Sequence, residues 1–236
     1  MNKLEHTVMG DENRPCILFL HGWGGDLRSF SYFANSLSVY GYRTINLSFN
    51  GHGNSEKPSS VWGVSDFARA VLKLLKNYNV EKVSIVGHSF GGRVAIWLSA
   101  NYPSLVDKLV LVDSAGIKPR RGLRYKYKVW RYKKAKKNGK DLSKFGSSDY
   151  KNLDEKMKGT FIKIVNEDLT KFLPKILVPT LLVWGKKDKD TPMYMAKKMR
   201  KKIKESNLVV FKNEGHWAYA NKPNEFLKEI KSFLTL

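Results

Sequence analysis

A serine stands between two glycines in residues 87–91 (Gly-His-Ser-Phe-Gly), directly after an apolar run that is rich in β-branched residues. A helical pattern follows over residues 91–101, so the chain reads as strand, tight turn and helix. So sharp a turn leaves no room for a Cβ on either side of Ser89 and exposes its hydroxyl in a strained backbone conformation. The helix N-terminus would stabilise a developing oxyanion beside it. These features predict a nucleophilic serine.

A histidine that could serve as the base for this serine lies near the carboxyl end of the chain. His216 follows the last predicted strand, in residues 215–217 (Gly-His-Trp). A serine hydroxyl is a poor nucleophile until a base takes its proton, and an imidazole can do this at neutral pH. A loop histidine that only fills space is the alternative, but the position after the final strand favours the base.

Three aspartates could orient that imidazole and stabilise its charged form. Asp188 lies in residues 185–192, where a glycine and a proline set its spacing. Asp190 lies two residues later, and Asp113 ends an earlier predicted strand. The spacing favours Asp188, and the other two are interpreted as solvated or loop-capping side chains.

Strands alternating with helices position these side chains. Apolar runs predict strands at residues 4–9, 16–20, 42–49, 83–86, 108–113, 179–184 and 208–211, and helical periodicity predicts helices at 27–39, 65–78, 91–101, 192–203 and 223–234. This alternation indicates an α/β fold with a mostly parallel, doubly wound sheet, whose ligands bind at the carboxyl ends of the strands. His21, Asn50, Ser89 and Asp113 all follow such ends.

The alternation stops between Ser114 and Leu173. Residues 118–140 contain twelve Lys or Arg and no acid, interleaved with four aromatic residues. Apolar stripes there fit a helix, but residues 123–129 also alternate like a strand. A second apolar set predicts a helix more clearly: Leu153, Met157, Phe161 and Ile164. We therefore predict a core formed by residues 1–114 and 174–236, with a basic, largely helical cap inserted at residues 115–173.

Four motifs in this chain order resemble those of the α/β-hydrolase fold family of serine hydrolases. Residues 21–24 (His-Gly-Trp-Gly) are similar to the family's oxyanion loop, and residues 87–91 to its nucleophile elbow. Residues 185–192 are similar to its acid loop, and residues 215–217 to its histidine loop. The order of serine, acid and histidine is also the family's. The resemblance covers nearly the whole chain apart from the cap.

The resemblance implies an α/β-hydrolase fold of about seven strands, because the amino-terminal segment is too short for the family's first strand. It implies catalysis by Ser89, Asp188 and His216. It also implies an oxyanion hole formed by the backbone N–H groups of Trp23 and Phe90. Together with Trp217, these two residues suggest a partly apolar acyl pocket.

We expect neither a cofactor nor a metal. Cys16 is the only cysteine, which excludes a cysteine-based metal cluster. His21, His52 and His88 are scattered single residues without metal-ligand spacing, and we interpret them as loop-ordering side chains.

The net charge of +22, from 43 basic and 21 acidic side chains, suggests an anionic partner. A phospholipid surface or an acidic substrate fits this charge, and a lysine-rich surface that serves solubility alone is the alternative. Nucleic acid is not expected, because no nucleic-acid-binding motif is present. With no apparent secretory signal and no apolar run of about 18 residues, we expect a soluble cytoplasmic protein.

The leading hypothesis is a hydrolase of carboxylic esters that acts through an acyl-enzyme on a small-molecule acyl substrate. Hydrolysis of an amide, a thioester or a carbon–carbon bond uses the same three residues and stays open, as does acyl transfer to another acceptor. A hypothesis of another class is a non-catalytic module that binds anionic partners through the basic cap. A hydrolase whose basic cap attracts anionic or interfacial substrates, with peripheral membrane contact, combines the two.

Overall fold

A computed structural model of the chain describes residues 3–119, 122–138, 150 and 153–235. In these residues seven strands form one sheet: β1 (His6–Met9), β2 (Cys16–Leu20), β3 (Arg43–Leu47), β4 (Val83–His88), β5 (Val106–Val112), β6 (Thr180–Gly185) and β7 (Ser206–Phe211). Their order across the sheet is β1-β3-β2-β4-β5-β6-β7. The edge strand β1 pairs antiparallel with β3, and every other neighbouring pair is parallel. The predicted fold class and strand number are confirmed.

The apolar runs become strands because both faces of the sheet are covered. Every residue of β2 is buried. Leu18 and Leu20 point into one hydrophobic cluster, whereas Ile17 and Phe19 point into the other on the opposite face. Alternating side chains therefore fill two cores, which requires a continuous apolar run rather than an apolar–polar alternation.

Helices pack on both faces of this sheet. The described helices are α1 (Ser31–Val39), α2 (Val64–Asn77), α3 (Phe90–Asn101), α4 (Leu123–Lys137), α5 (Glu155–Asn166), α6 (Met193–Lys202), α7 (Ala218–Asn221) and α8 (Pro223–Leu234), with 3₁₀ turns at Leu27–Phe30 and Leu173–Lys175. Apolar residues of α2, α3 and α6 belong to one cluster, and those of α1, α7 and α8 to the other. None of these helices has both the length and the apolar character that crossing a bilayer requires.

Local sequence explains where several helices begin. Pro223 starts α8, where its missing N–H costs nothing. Helix α2 begins at Val64, one residue before its predicted start. Gly63 is the capping residue, and the Asp66 carboxylate accepts its N–H at 2.7 Å. The short helix α7 was not predicted.

Two helices lie between β5 and β6 in the described residues. The segment that fitted both helix and strand is the helix α4, with Tyr127 and Trp130 on its exposed surface. In α5, Met157, Thr160 and Ile164 are buried. Parts of the predicted cap, residues 120–121, 139–149 and 151–152, lie outside the described residues.

Several contacts join helix α5 to the sheet side of the molecule, and two of them involve Phe161 and Thr160. The Phe161 ring lies 5.3 Å from the Trp23 ring, centroid to centroid. The Trp62 N–H donates to the Thr160 hydroxyl at 3.0 Å. These contacts place α5 over the loops at the carboxyl ends of the strands.

Candidate active site

Ser89 occupies the turn between β4 and α3 in a backbone conformation that L-residues rarely adopt, with φ of 48° and ψ of −107°. A Cβ on Gly87 would lie 2.8 Å from the carbonyl oxygen of Gly91, and one on Gly91 would lie 2.0 Å from that of Leu20. The prediction that the turn has no room for a Cβ at either glycine is confirmed. The Ser89 N–H donates to the Val112 carbonyl at 3.0 Å, which ties the turn to β5. The strain is therefore held by the surrounding sheet.

The imidazole of His216 lies between Ser89 and Asp188. The Ser89 hydroxyl is 3.0 Å from Nε2, and Nδ1 is 2.8 Å from Oδ2 of Asp188. The Asp188 side chain is fully buried, and that of His216 is 12% exposed. The structure thus brings together three side chains that sequence analysis had selected from distant parts of the chain. With Nδ1 donating to the carboxylate, Nε2 is free to accept the serine proton.

The loop after β6 surrounds the Asp188 carboxylate with donors. Oδ1 accepts the backbone N–H groups of Asp190 at 2.8 Å and Thr191 at 2.9 Å. Oδ2 lies 2.6 Å from the Thr191 hydroxyl in addition to its bond from His216. Sequence analysis missed Thr191, although a hydroxyl residue shortly after a loop aspartate is a recognisable local hydrogen-bonding pattern.

Opposite charges stabilise each other in this pair. Burial is the largest influence on the pKa of Asp188 and raises it, but hydrogen bonds from His216 and Thr191 outweigh burial and leave the pKa below its ordinary value. Burial lowers the pKa of His216, because it disfavours the charged imidazolium. The hydrogen bond to Asp188 and the nearby carboxylate charge reverse this, so that its pKa lies above 6.5. The site thus favours a charged aspartate beside an imidazole that readily accepts a proton.

The two rival aspartates are placed differently. The Asp113 side chain is buried, Oδ1 accepts the Gly185 N–H at 2.8 Å, and Oδ2 has no hydrogen-bond partner in the described part of the chain. Burial raises its pKa to about 7. Asp190 is exposed and contributes its backbone N–H to Asp188. Of the three carboxylates, the one hydrogen-bonded to His216 is that of Asp188.

The predicted oxyanion loop lies against the serine. A Cβ on Gly22 would be 3.3 Å from the Ser89 Cβ. Trp23 and Phe90 line the same cavity as Ser89, and their rings meet edge to face at 5.4 Å. The hydrogen bonds found among the described residues engage neither the Trp23 nor the Phe90 backbone N–H.

Three further histidines order the surrounding loops, as predicted. His52 does so by donating from Nδ1 to the Asn50 carbonyl at 3.2 Å. Nε2 of His88 donates to the His216 carbonyl at 2.9 Å and so holds the histidine loop in place. His21 donates from Nδ1 to the Gly22 carbonyl at 2.7 Å and accepts the Phe49 N–H at Nε2. Burial lowers the pKa of both His21 and His88 to about 3, so both are neutral. The contact from His88 to His216 was not predictable from spacing.

Donor atoms of Asp188, Asp190 and His216 lie within 4.8 Å of one another, the spacing of a metal-ligand group. However, a hydrogen bond already joins Nδ1 of His216 to Oδ2 of Asp188. A metal ion at this position would therefore replace the hydrogen bond that orients the imidazole.

A cavity of about 470 Å³ opens beside Ser89. Its wall includes the three aromatic residues predicted for an acyl pocket, Trp23, Phe90 and Trp217. Side chains from α5 and α6 also line the cavity: Phe161, Ile164, Val165 and Met195. The cavity is mostly apolar and large enough for a small organic molecule.

Comparison with known proteins agrees with this geometry. The model of the alpha/beta hydrolase fold family matches residues 15–161 and 151–223. The AB hydrolase superfamily protein YisY of Bacillus subtilis is 31% identical, and the match covers 97% of this chain and 96% of that protein. The 2-hydroxy-6-oxo-6-(2'-aminophenyl)hexa-2,4-dienoic acid hydrolase of Metapseudomonas resinovorans is 28% identical, over 95% of this chain and 85% of the relative.

A solved structure of an esterase from Exiguobacterium antarcticum (EaEST) superposes with a TM-score of 0.80 at 26% identity, over 98% of this chain and 95% of the esterase. The family match spans well over half of the chain, and the sheet order and loop positions agree with it. The chain therefore belongs to the α/β-hydrolase fold family and is a hydrolase of that family.

Proposed function

We propose that this protein is a serine hydrolase that cleaves carboxylic esters through an acyl-enzyme, with Ser89 as nucleophile, His216 as base and Asp188 as the orienting acid. One observation carries the proposal: the imidazole of His216 lies within hydrogen-bond distance of the Ser89 hydroxyl at one nitrogen and of the Asp188 carboxylate at the other. The strained turn at Ser89 and the adjoining cavity support it further.

Acylation follows from this arrangement. The Ser89 oxygen attacks the ester carbonyl carbon while its proton passes to Nε2 of His216. The negative oxygen of the tetrahedral intermediate is bound by the backbone N–H groups of Trp23 and Phe90, each contributing about 3–4 kcal/mol in comparable sites. When the intermediate collapses, the carbon–oxygen bond to the alcohol breaks, and the alcohol leaves with the proton from Nε2.

Deacylation repeats these steps with water. Nε2 takes a proton from the water as its oxygen attacks the acyl carbon, and the same N–H groups bind the second oxyanion. Collapse releases the carboxylic acid and returns the proton to the Ser89 oxygen. Asp188 keeps the imidazole in the tautomer that both halves of the reaction need.

We also propose that residues 115–173 form a cap over a core of residues 1–114 and 174–236. Phe161, Ile164 and Val165 of α5 support this division, because they form a wall of the cavity that the core leaves open. The cap would then select the substrate, while the core supplies the reaction.

Other acyl bonds use the same three residues, so amide, thioester and carbon–carbon hydrolysis are the competing reactions. The relatives include both kinds of enzyme: EaEST is named an esterase, and a meta-cleavage product hydrolase is among the similar structures. Ester cleavage is proposed first because EaEST, which matches 98% of this chain at 26% identity, is named an esterase.

The test is turnover of 4-nitrophenyl esters from acetate to octanoate, with Ser89→Ala as the control. We expect turnover of at least one ester, loss of activity by about a millionfold in the variant, and labelling of the parent by a fluorophosphonate. A parent protein that neither turns over an ester nor reacts with the fluorophosphonate would contradict the proposal. Turnover of a diketone or a thioester, but of no ester, would mean that the protein cleaves that bond instead.

We infer a second property from the composition of α4, namely that this helix contacts anionic lipid surfaces. Its fifteen residues include eight Lys or Arg and no acid. Tyr127 and Trp130 are 58% and 54% exposed and stacked, with the Lys134 ammonium 5.0 Å from the Trp130 ring centroid. Exposed aromatic rings beside many cations suit the interface between lipid headgroups and water.

Co-sedimentation with vesicles tests this contact. The parent should bind vesicles that contain phosphatidylglycerol, in a salt-sensitive manner, and should not bind pure phosphatidylcholine. Replacing Arg131, Lys133 and Lys134 by Gln should abolish binding. A matched control replaces Lys197, Lys201 and Lys202 of α6, which are also exposed. Equal loss in both variants would indicate general charge attraction, and retention by DNA but not by vesicles would contradict the lipid contact.

A further inference from the structure

A buried cation forms part of the wall of the cavity. Arg93 lies on α3, the helix that begins directly after Ser89, and it is the one charged residue in that helix. It is 5% exposed and lines the cavity together with Ser89 and His216. Its Cα follows that of Ser89 by about one helical turn, roughly 6 Å along the axis. Arg93 therefore contributes a cation to the wall of the same cavity as the reacting atoms.

No carboxylate among the described residues forms an ion pair with this charge, although those of Glu167 and Asp168 act on it from a distance. The guanidinium donates one hydrogen bond, from Nη1 to the backbone carbonyl of Glu167 at 2.8 Å. None of the ion pairs within the described ranges includes Arg93. The Glu167 carboxylate accepts the Val64 N–H instead, and Asp168 is exposed.

Such a cation is costly in the absence of a partner. A guanidinium has five N–H donors in a planar fork, and an unpaired buried charge destabilises the fold. Burial lowers the pKa of Arg93 to about 10, with the charges of Glu167 and Asp168 acting in the other direction, so the group stays protonated at neutral pH. A carboxylate can complete such a fork, because it accepts two parallel hydrogen bonds.

We propose that Arg93 binds a carboxylate of the substrate, so that the preferred esters carry a free acid group a short chain away from the ester bond. This inference rests on the proposed ester hydrolysis and names its substrate class. Arg93 acts here as a specificity-determining residue, and the reaction steps at Ser89 are unchanged.

A purely structural role is the rival explanation. The carbonyl that Arg93 binds belongs to Glu167, directly after α5, so the side chain also ties α3 to the end of that helix. A structural tie would affect all substrates alike. Substrate binding would affect anionic substrates more than neutral ones, and this difference separates the two roles.

The experiment compares two matched pairs of esters after subtraction of the uncatalysed rate. In the first pair the acyl part carries the charge: 4-nitrophenyl hydrogen glutarate against 4-nitrophenyl pentanoate. In the second the alcohol part carries it: 4-acetoxybenzoate against 4-methylphenyl acetate. We expect the parent to prefer the anionic member of at least one pair in kcat/KM. Arg93→Met should lower that preference about 10- to 100-fold.

Two more variants sharpen the result. Arg93→Lys keeps the charge but loses the fork and should retain part of the preference. Lys163→Met removes an exposed cation from α5 and should leave the preference unchanged. Thermal unfolding of each variant shows whether the fold is intact.

Equal loss for both members of each pair in Arg93→Met, or no anionic preference in the parent, would overturn the inference. Calorimetric titration with glutarate, a product of the first pair, gives a readout without turnover. Glutarate should bind the parent and Ser89→Ala with similar affinity and bind Arg93→Met at least tenfold more weakly. Failure of ester turnover with this binding pattern intact would contradict the proposed reaction and not the carboxylate site.

Discussion

Two loops at the same edge of the sheet each hold a buried aspartate, and the two carboxyl groups differ in their hydrogen-bond donors and in the direction of their pKa shifts. Asp113 directly follows β5 and accepts one hydrogen bond, from the Gly185 N–H. Asp188 lies in the loop after β6, where two backbone N–H groups, the Thr191 hydroxyl and His216 surround it. The pKa of Asp113 is raised to about 7 by burial, whereas that of Asp188 is lowered.

This difference shows that donors, rather than position at a strand end, decide which carboxylate is charged. Both groups are removed from water, which favours the protonated form. Asp188 overcomes this penalty because its loop turns several N–H and O–H groups toward it. Asp113 has no donor at Oδ2 among the described residues and keeps its proton to higher pH.

The largest expected effect comes from removing the charge of Asp188. Asp188→Asn should lower kcat by about 10⁴-fold, because the N–H groups of Asp190 and Thr191 would keep the amide oxygen on their side. The amide nitrogen would then donate to Nδ1 and select the wrong tautomer of the imidazole. The measurement is steady-state turnover of the best 4-nitrophenyl ester, with circular dichroism to show an intact fold. A loss of less than about tenfold would mean that another carboxylate, such as Asp113, serves the imidazole.

The pH profile gives the next effect. The base must be neutral to accept the serine proton, so kcat/KM should fall as the pH drops through the pKa of His216. Because Asp188 stabilises the imidazolium, this limb should lie above pH 6.5. In Asp188→Asn the residual activity should show the limb shifted to lower pH. An unchanged midpoint would contradict the pairing of the two side chains.

A smaller effect is expected from the loop that supplies the donors. Thr191→Val keeps the shape but removes the hydroxyl that lies 2.6 Å from Oδ2 of Asp188. Loss of one hydrogen bond to a charged acceptor should reduce kcat about tenfold. Thr191→Ser restores the hydroxyl and serves as the matched control. Equal activity of the valine and serine variants would show that this donor is dispensable.

The smallest effect on turnover is expected at Asp113. Asp113→Asn should change kcat less than about threefold, because the replaced carboxyl, with a pKa of about 7, is already partly protonated at neutral pH. Among the described residues, the carboxylate that hydrogen-bonds to His216 is that of Asp188. A loss comparable with that of Asp188→Asn would reverse the assignment of the two loops.

The same variant should alter the pH dependence of stability. Between the ordinary pKa of 3.8 and about 7, the unfolded chain releases the Asp113 proton and the folded chain keeps it. This group therefore lowers the free energy of unfolding as the pH rises across that window. Relative to the parent, Asp113→Asn should gain several degrees in Tm from about pH 4 to pH 7.5. A constant difference would contradict the raised pKa.

Sequence reasoning could predict the features that local pattern controls. Ser89 was found from its two glycines, which the tight turn requires. His216 was found from its position after the last strand, and Asp188 from its spacing between Gly185 and Pro192. The strands of the sheet were predictable because both of its faces are buried, which demands continuous apolar runs.

Features that depend on distant contacts could not be predicted. The bond from Arg93 to the Glu167 carbonyl joins residues 74 positions apart, and that from His88 to the His216 carbonyl joins residues 128 apart. No periodicity encodes such pairs. Residues 123–129 fitted both a helix and a strand, and α4 shows that the helix-forming Lys and Arg residues decide the outcome.

The central claim is that Ser89 becomes acylated, and trapping the acyl-enzyme tests it most directly. The protein is mixed with a 4-nitrophenyl ester, quenched in acid within milliseconds and measured by intact mass and peptide mapping. We expect one added acyl group on the peptide that contains Ser89, and none in Ser89→Ala. Full ester turnover without any acyl adduct, or an adduct on a different residue, would contradict it.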